Sequence, residues 1–186
     1  MHWIEKRNRT EKMVLIALFS TLTWIGAYLQ INFIPPVPFT LQTLMVMMSG
    51  LILGPRYAAL SQGIYLLLGL IGVPVFTQGG GPAYLLRPSF GFILGFVLAA
   101  ALTGWLGNTI KKPTFLNCFG ISLAGMVAVY LIGVPHIYLI NLLVLKSPIP
   151  FFKIVLGMMP FMVGDIAKSL VIAGVTPTIL ERLSKI

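Results

Sequence analysis

An acidic and a basic residue lie three positions apart within a long apolar stretch near the end of the chain. They are Asp165 and Lys168, inside the apolar block 159–180. On a helix, this spacing places both side chains on one face, where they can meet. Ionisable groups in such a helix normally face the bundle interior and mark a path for a ligand or an ion. The alternative is an ion pair that only locks helix packing, although buried pairs seldom stabilise better than apolar residues would.

Polar and aromatic residues near the ends of neighbouring apolar blocks could complete a binding site with this pair. Together they would offer one carboxylate, cations, amides and aromatic rings, a set that suits a small, mostly apolar molecule with a carboxylate and a second polar end. For Arg87, the alternative is an interfacial side chain whose charge reaches the lipid headgroups. These candidate binding residues are Phe39, Thr40, Gln42, Gln78, Tyr84 and Arg87.

The chain lacks the residue combinations that catalysis and metal binding need. No nucleophile–base pair and no pair of carboxylates is present, and neither histidine falls within a predicted span. Cys118 is the only cysteine, which excludes an internal disulfide and a cysteine-based metal site. We therefore predict no enzyme activity, no metal and no cofactor. The net charge of +9 comes from cations scattered between apolar blocks, so a nucleic-acid partner is not expected either.

The composition indicates a membrane protein. Of the 186 residues, 58% are hydrophobic and 9% are charged, whereas soluble domains carry about 25% charged residues. The length allows about six spans of ~20 residues with short connections. We predict an all-α membrane protein in which residues 1–186 form one integral membrane domain, a compact bundle of six transmembrane helices. The expected spans are 13–31, 39–54, 56–73, 85–106, 115–134 and 159–180.

The stretch 135–158 is apolar but is interrupted by Pro148, Pro150 and two lysines. We interpret it as a segment on the outer face, in the form of a partial helix that lies on the protein. The alternative is a seventh span, which would put the two termini on opposite sides of the membrane.

The distribution of lysine and arginine predicts the orientation, because these residues accumulate in cytoplasmic loops. With the N-terminus inside, only Arg87, Lys146 and Lys153 of the 13 cations lie in outer segments, Lys168 lies within a span, and the other nine are cytoplasmic. We therefore predict that both termini are cytoplasmic. Counting back from the cytoplasmic end of the last span places Asp165 and Lys168 near the outer face, where we expect the ligand site.

Four segments give the sequence a resemblance to a known family. They read VPFTLQT at 37–43, GLILGPRY at 50–57, GLIGVPVF at 69–76 and GDIAK at 164–168. From about residue 12 to residue 180, the chain resembles the BioY biotin transporters, the substrate-binding S components of energy-coupling-factor importers. The resemblance implies a six-helix protein that captures biotin outside the cell. Its partners would be a shared transmembrane subunit and two cytoplasmic ATPases that power delivery.

The resemblance also implies roles for individual residues. Asp165 would accept hydrogen bonds from the ureido N–H groups of biotin, and Lys168 would belong to the same polar site. Arg87 is a candidate for the biotin carboxylate and Gln42 for the ureido oxygen. The small-residue pair of the first helix reads Ala17 and Thr21, which makes this face the candidate docking surface for the coupling module.

Three other functions remain open at this point. A different vitamin could be the ligand, since thiamine or riboflavin would suit a site of similar size. A membrane enzyme is opposed by the missing catalytic groups. A non-transporting assembly protein would explain small residues on helix faces but not the pair Asp165 and Lys168. In every transport reading, energy must come from a partner, because the chain has no nucleotide-binding motif.

Overall fold

Five long helices and one two-stranded hairpin make up the part of the chain that the computed structural model describes, residues 3–31 and 37–185. The strands β1 (Gln30–Ile31) and β2 (Phe39–Thr40) pair antiparallel. Short 3-10 turns cover Trp3–Lys6 and Pro82–Leu86. The predicted all-helical class is confirmed. The helices are α1 (Arg9–Tyr28), α2 (Gln42–Leu70), α3 (Phe90–Thr109), α4 (Phe115–Leu143) and α5 (Phe151–Lys185).

Polar side chains cap the beginnings of two helices. The Asn8 side chain accepts a 2.8 Å hydrogen bond from the amide of Glu11 at the start of α1. The Thr114 hydroxyl accepts one of 3.3 Å from the amide of Asn117 at the start of α4. Each bond satisfies an amide that has no acceptor within its own helix, which fixes where the helix begins.

Helix α2 is a hairpin of two antiparallel segments, 42–53 and 55–70. Gln42 and Tyr65 are 23 residues apart, which would separate them by about 35 Å on a straight helix. Their side chains are instead joined by a 2.7 Å hydrogen bond from Gln42 Nε2 to the Tyr65 hydroxyl. Gly54 forms the turn with φ 75° and ψ 174°, a conformation that is essentially restricted to glycine, and Pro55 follows it. The break predicted at this position is therefore present.

Side-chain contacts define the two ends of the bundle. At one end, the Tyr28 hydroxyl donates a 2.9 Å hydrogen bond to the Pro74 carbonyl, and the ring of His136 lies 3.2 Å from the Arg87 carbonyl. We call this the site end. At the opposite end, the Lys12 ammonium lies 5.6 Å from the centre of the Tyr57 ring, next to the Gly54 turn.

The segment 135–158 is not a separate element on the outer face, and it is not a seventh span. Helix α4 continues through Pro135 to Leu143, and α5 already begins at Phe151, so only residues 144–150 connect them. Proline removes one backbone donor from a helix but is tolerated where neighbouring groups in a membrane bundle satisfy the freed carbonyl. The prolines at 148 and 150 lie in the connection.

Four helices in the described residues are long and apolar enough to cross a membrane: Gln42–Leu70, Phe90–Thr109, Phe115–Leu143 and Phe151–Leu183. Helix α1 does not meet the same criterion, and its first turn contains Arg9, Glu11 and Lys12. The two segments of α2 count as one helix in this total because they are continuous in sequence. The chain is thus a multi-pass membrane protein.

Glycines bring α3 close to its neighbours. A Cβ atom at Gly95 would lie 3.0 Å from the Cα of Val129 on α4, and a Cβ at Gly104 would lie 2.4 Å from the Pro55 nitrogen at the hairpin turn. Small residues permit such approaches between helices, which is important in lipid, where the hydrophobic effect does not drive helix association. Helix α3 therefore packs directly on both α2 and α4.

Candidate ligand-binding site

Asp165 is the centre of a buried hydrogen-bond network near the site end of the bundle. Asp165 as a whole residue is 5% exposed, and Lys168, one turn further along α5, is 6% exposed. The Lys168 ammonium donates to Asp165 Oδ1 at 2.7 Å, which is the contact that their spacing predicts. The hydroxyl of Tyr130 on α4 donates to Asp165 Oδ2 at 2.6 Å. The carboxylate thus joins α4 to α5.

Thr43 connects the same network to α2. Its hydroxyl donates to Asp165 Oδ1 at 3.1 Å and accepts a 2.9 Å hydrogen bond from the Lys168 ammonium. The ammonium also lies 4.0 Å from the centre of the Phe39 ring, a distance at which a cation is attracted to the ring face. The charge of Lys168 is therefore compensated by a carboxylate, a hydroxyl and an aromatic ring.

Gln42 holds the two segments of α2 and the following connection together. The Thr40 hydroxyl donates to Gln42 Oε1 at 3.1 Å, and Gln42 Nε2 donates to the Tyr65 hydroxyl at 2.7 Å. The Tyr65 hydroxyl in turn donates to the Val75 carbonyl at 3.0 Å. Both the oxygen and the nitrogen of the Gln42 amide thus already have protein partners.

Aromatic rings pack together next to Gln42, and one of them, Tyr84, lines the cleft described below. The Phe76 ring lies 4.6 Å from the Tyr84 ring and 5.5 Å from the Tyr65 ring, measured between ring centres. The hydroxyls of Tyr84 and Thr77 are 3.0 Å apart. This packing surrounds the buried side chain of Phe76, in the connection 71–89 between α2 and α3.

A cleft is lined by these polar residues and by a set of aromatic rings that we call the aromatic wall, namely Tyr84, Phe92, Phe96 and Phe161. The space free of protein atoms is about 560 Å³ when the open solvent at its mouth is included, so the enclosed part is smaller and admits only a small molecule. One side of the cleft is mainly apolar, and the other carries the only charged groups that line it within the described residues. The polar lining includes Thr40, Gln42, Thr43, Tyr130, Asp165 and Lys168.

The structure brings together six of the eight predicted binding residues. Phe39, Thr40, Gln42, Tyr84, Asp165 and Lys168 all line the cleft. Arg87 and Gln78 are exposed and do not line it, and the guanidinium of Arg87 donates to Gln78 Oε1. The Arg87 guanidinium lies 5.5 Å from the centre of the Tyr84 ring, and Tyr84 lines the cleft. Arg87 and Gln78 therefore lie at the rim of the cleft.

Two residues of the network are absent from the predicted set, namely Tyr130 and Thr43. Tyrosine in the middle of an apolar helix needs a partner for its hydroxyl, a signal that could have pointed to Tyr130. Thr43 follows directly on Thr40 and Gln42 at the start of α2 and could have been included for that reason. The predicted docking residues Ala17 and Thr21 both lie on the exposed face of α1, and neither lines the cleft.

The arrangement is suited to binding a small molecule. A buried carboxylate can accept hydrogen bonds from N–H groups of a ligand, and such charge-assisted bonds are the strong ones. The apolar lining can hold an aliphatic or ring portion of the same ligand. The rim residue Arg87 could approach an anionic group that extends out of the cleft, since guanidinium pairs well with carboxylates.

The chain is similar to known proteins over almost its whole length. The model of the BioY family matches residues 4–185. A biotin transporter BioY of Thermotoga maritima is 33% identical over 175 residues, covering 92% of this chain and 96% of the relative. A biotin transporter BioY of Rhizobium etli is 33% identical over 175 residues, covering 88% and 90%.

A solved structure also matches over nearly the whole chain. It is the S component for biotin from an ECF-type ABC transporter, determined by crystallography at 2.1 Å. The TM-score is 0.79 with 28% sequence identity, and the match covers 96% of this chain and 93% of that chain. Since the family model and the full-length relatives account for almost every residue, the chain belongs to the BioY family.

Proposed function

We propose that this protein is the biotin-binding S component of an energy-coupling-factor importer. The observation that carries the proposal is the buried network of Asp165, Lys168, Thr43 and Tyr130 at one wall of a cleft for a small molecule. Family membership supports it, since relatives across the chain are biotin transporters and the matching structure is an S component for biotin.

In this proposal, the ureido ring of biotin binds at the polar wall, formed by Thr43, Tyr130, Asp165 and Lys168. The rest of the molecule lies along the aromatic wall. Asp165 accepts from a ureido N–H, and Lys168 belongs to the same polar site. The Gln42 amide is already bonded to Thr40 and Tyr65, but its nitrogen carries a second hydrogen, which the ureido oxygen can accept. Arg87 at the rim pairs with the carboxylate at the end of the valeryl chain.

We further propose six membrane spans, with the two segments of α2 crossing separately and α1 as the first span. Helix α1 begins with charged residues, but its continuation to Tyr28 is apolar. The site end then faces outward. Cations support this orientation, because Lys12, Arg56 and Lys111 belong to the end away from the cleft. Met1 and Ile186 lie outside the described residues, so the cytoplasmic placement of the termini is inferred from α1 and α5.

The coupling module, a transmembrane subunit with two cytoplasmic ATPases, is the proposed source of energy. We assign its docking face to α1. Ala17 and Thr21 are exposed there, and the Thr21 hydroxyl donates to the Ala17 carbonyl at 2.9 Å, so it requires no external acceptor. Such a face lets another helix approach closely. Large apolar residues on the same helix, Met13, Val14 and Leu18, are also exposed and would extend the contact.

Mass spectrometry of small molecules released from the purified, denatured protein tests the proposed ligand. A tightly bound vitamin survives gentle purification and is released on denaturation, so protein from cells grown with biotin should yield biotin in a near-stoichiometric amount. Protein from cells grown without biotin, then loaded and washed, serves as the control. Recovery of thiamine, riboflavin or another vitamin in place of biotin would overturn the assignment.

A further inference from the structure

The hydrogen bonds around Asp165 limit what its carboxylate can still accept. A carboxylate offers about two acceptor positions on each oxygen. Among the described residues, Thr43 and Lys168 both donate to Oδ1, at 3.1 and 2.7 Å, and Tyr130 donates to Oδ2 at 2.6 Å. Oδ1 is therefore fully used by the protein, and a single acceptor position, on Oδ2, is left for a ligand.

The Tyr130 hydroxyl determines where that position lies. It occupies one side of Oδ2, and its short bond holds the plane of the carboxylate relative to α4. The Tyr130 ring is itself fixed by the Phe92 ring of α3, 5.8 Å away between ring centres and nearly perpendicular to it. Three helices thus set the direction in which Oδ2 can accept one more hydrogen.

We infer that Tyr130 is a positioning residue that fixes the remaining acceptor position of Asp165, so that this carboxylate accepts one ligand N–H group and not two. The inference rests on the proposed function, in which the ligand presents a cyclic urea. The two N–H bonds of a cyclic urea point away from each other, so one acceptor position serves one of them. The second N–H must find its acceptor elsewhere in the cleft.

Tyr130 also forms part of the wall between the cleft and the outside of the bundle. An apolar groove between α4 and α5 runs along the outer side of this wall, and Tyr130 and Asp165 line both spaces. A small residue at position 130 would open the cleft to the groove and disturb several features at once. Tyr130→Phe is the informative variant, because it removes the hydroxyl and keeps the ring.

A double-mutant cycle on biotin binding tests the inference. The purified variants Tyr130→Phe, Asp165→Asn and their combination are compared with the wild type by calorimetry or radiolabelled biotin binding. Tyr130→Phe should weaken biotin binding by about ten-fold in the wild-type background, as expected for a hydrogen bond to a charged group. In the Asp165→Asn background, it should change affinity by less than about two-fold, because the carboxylate it positions is gone.

Tyr138→Phe is the matched control. Tyr138 lies on the same helix, its ring packs 5.9 Å from the Phe151 ring, and its hydroxyl has no hydrogen bond within the described residues. This variant should bind biotin like the wild type. An equal loss from Tyr130→Phe in both Asp165 backgrounds, or no loss in either, would refute the positioning role. If the wild type itself does not bind biotin, the proposed function is wrong, and the inference that rests on it is wrong too.

Two biotin analogues, each methylated on a different ureido nitrogen, show whether Asp165 contacts one ureido N–H group or both. Asp165→Asn should lower the affinity for biotin and for one of the two analogues, and it should leave the affinity for the other unchanged. In that second analogue, the methyl group has already removed the hydrogen that Asp165 accepts. A comparable loss for both analogues would mean that Asp165 contacts both nitrogens, which contradicts the count of acceptor positions.

Discussion

Lys168 and Thr43 are 125 positions apart in the sequence, and the Lys168 ammonium donates to the Thr43 hydroxyl at 2.9 Å. Thr43 lies in the first turn of α2 and Lys168 in the middle of α5, so this bond joins distant parts of the chain. Both residues also donate to Asp165 Oδ1. The carboxylate is thus the shared acceptor of Thr43, Lys168 and Tyr130, and a change at position 165 affects all three.

Asp165→Asn should lower biotin affinity by at least about ten-fold. The amide keeps the shape of the side chain but places an N–H donor among groups that are themselves donors, and it removes the charge that strengthens the ligand contact. A loss of about 1.4 kcal/mol corresponds to a factor of ten. Calorimetry on folded, purified protein measures it. Glu181→Gln on the same helix is the control and should bind normally. Unchanged affinity for Asp165→Asn would reduce Asp165 to a structural ion-pair partner.

Gly54→Ala should destabilise the protein by about 1–3 kcal/mol, because φ 75° with ψ 174° is a backbone conformation that residues other than glycine adopt only under strain. Thermal unfolding followed by intrinsic fluorescence measures the effect. Gly63→Ala provides the matched control, since a Cβ there would have no atom within 4 Å. Within a helix, it should stabilise by up to about 1 kcal/mol. Equal stabilities of the two variants would contradict the hairpin turn.

Single cysteines at Lys111 and Ser147 should report opposite sides of the membrane. Both positions are exposed in the structure, one after α3 and the other after α4. Cys118 is buried and is replaced first by alanine to give a cysteine-free background. In intact cells, an impermeant thiol reagent should label position 147 and leave position 111 unlabelled until the membrane is permeabilised. The reverse pattern would place the cleft on the cytoplasmic side.

Ala17→Trp should abolish ATP-driven biotin uptake in vesicles that contain the coupling module, while biotin affinity in detergent stays at the wild-type value. The large ring would hold a partner helix away from α1. Biotin affinity should not change, because Ala17 is exposed on the outside of the bundle and does not line the cleft. Leu98→Trp, at an exposed position on α3 that does not line the cleft, is the control and should leave uptake normal. Normal uptake by Ala17→Trp would show that the docking face lies elsewhere.

The local features of this protein could be predicted from the sequence. The spacing of Asp165 and Lys168 on one helix gives their contact directly, and the pair Gly54 and Pro55 indicates the turn of the hairpin. These predictions involve residues that are close along the chain. Helix periodicity and the conformational preferences of glycine and proline are sufficient for them.

The contacts between helices could not be predicted in the same way. The bond from Tyr130 to Asp165 depends on how α4 is rotated against α5, and an apolar helix with hydrophobic residues on all sides has no sequence signal for its rotation. Helix α4 also continues past the predicted span 115–134, for a related reason. Pro135 stops a helix in water, but within a bundle other groups satisfy the carbonyl that it leaves free.

Biotin binding by the purified wild-type protein, without any partner subunit, tests the central claim most directly. Isothermal titration in detergent or in nanodiscs should show saturable binding with one biotin per chain, and an excess of thiamine or riboflavin should not displace it. A buried carboxylate with a fixed acceptor position gives this selectivity, because only a ligand with a matching N–H group satisfies it. A protein that fails to bind biotin, or that binds another vitamin more tightly, would contradict the account.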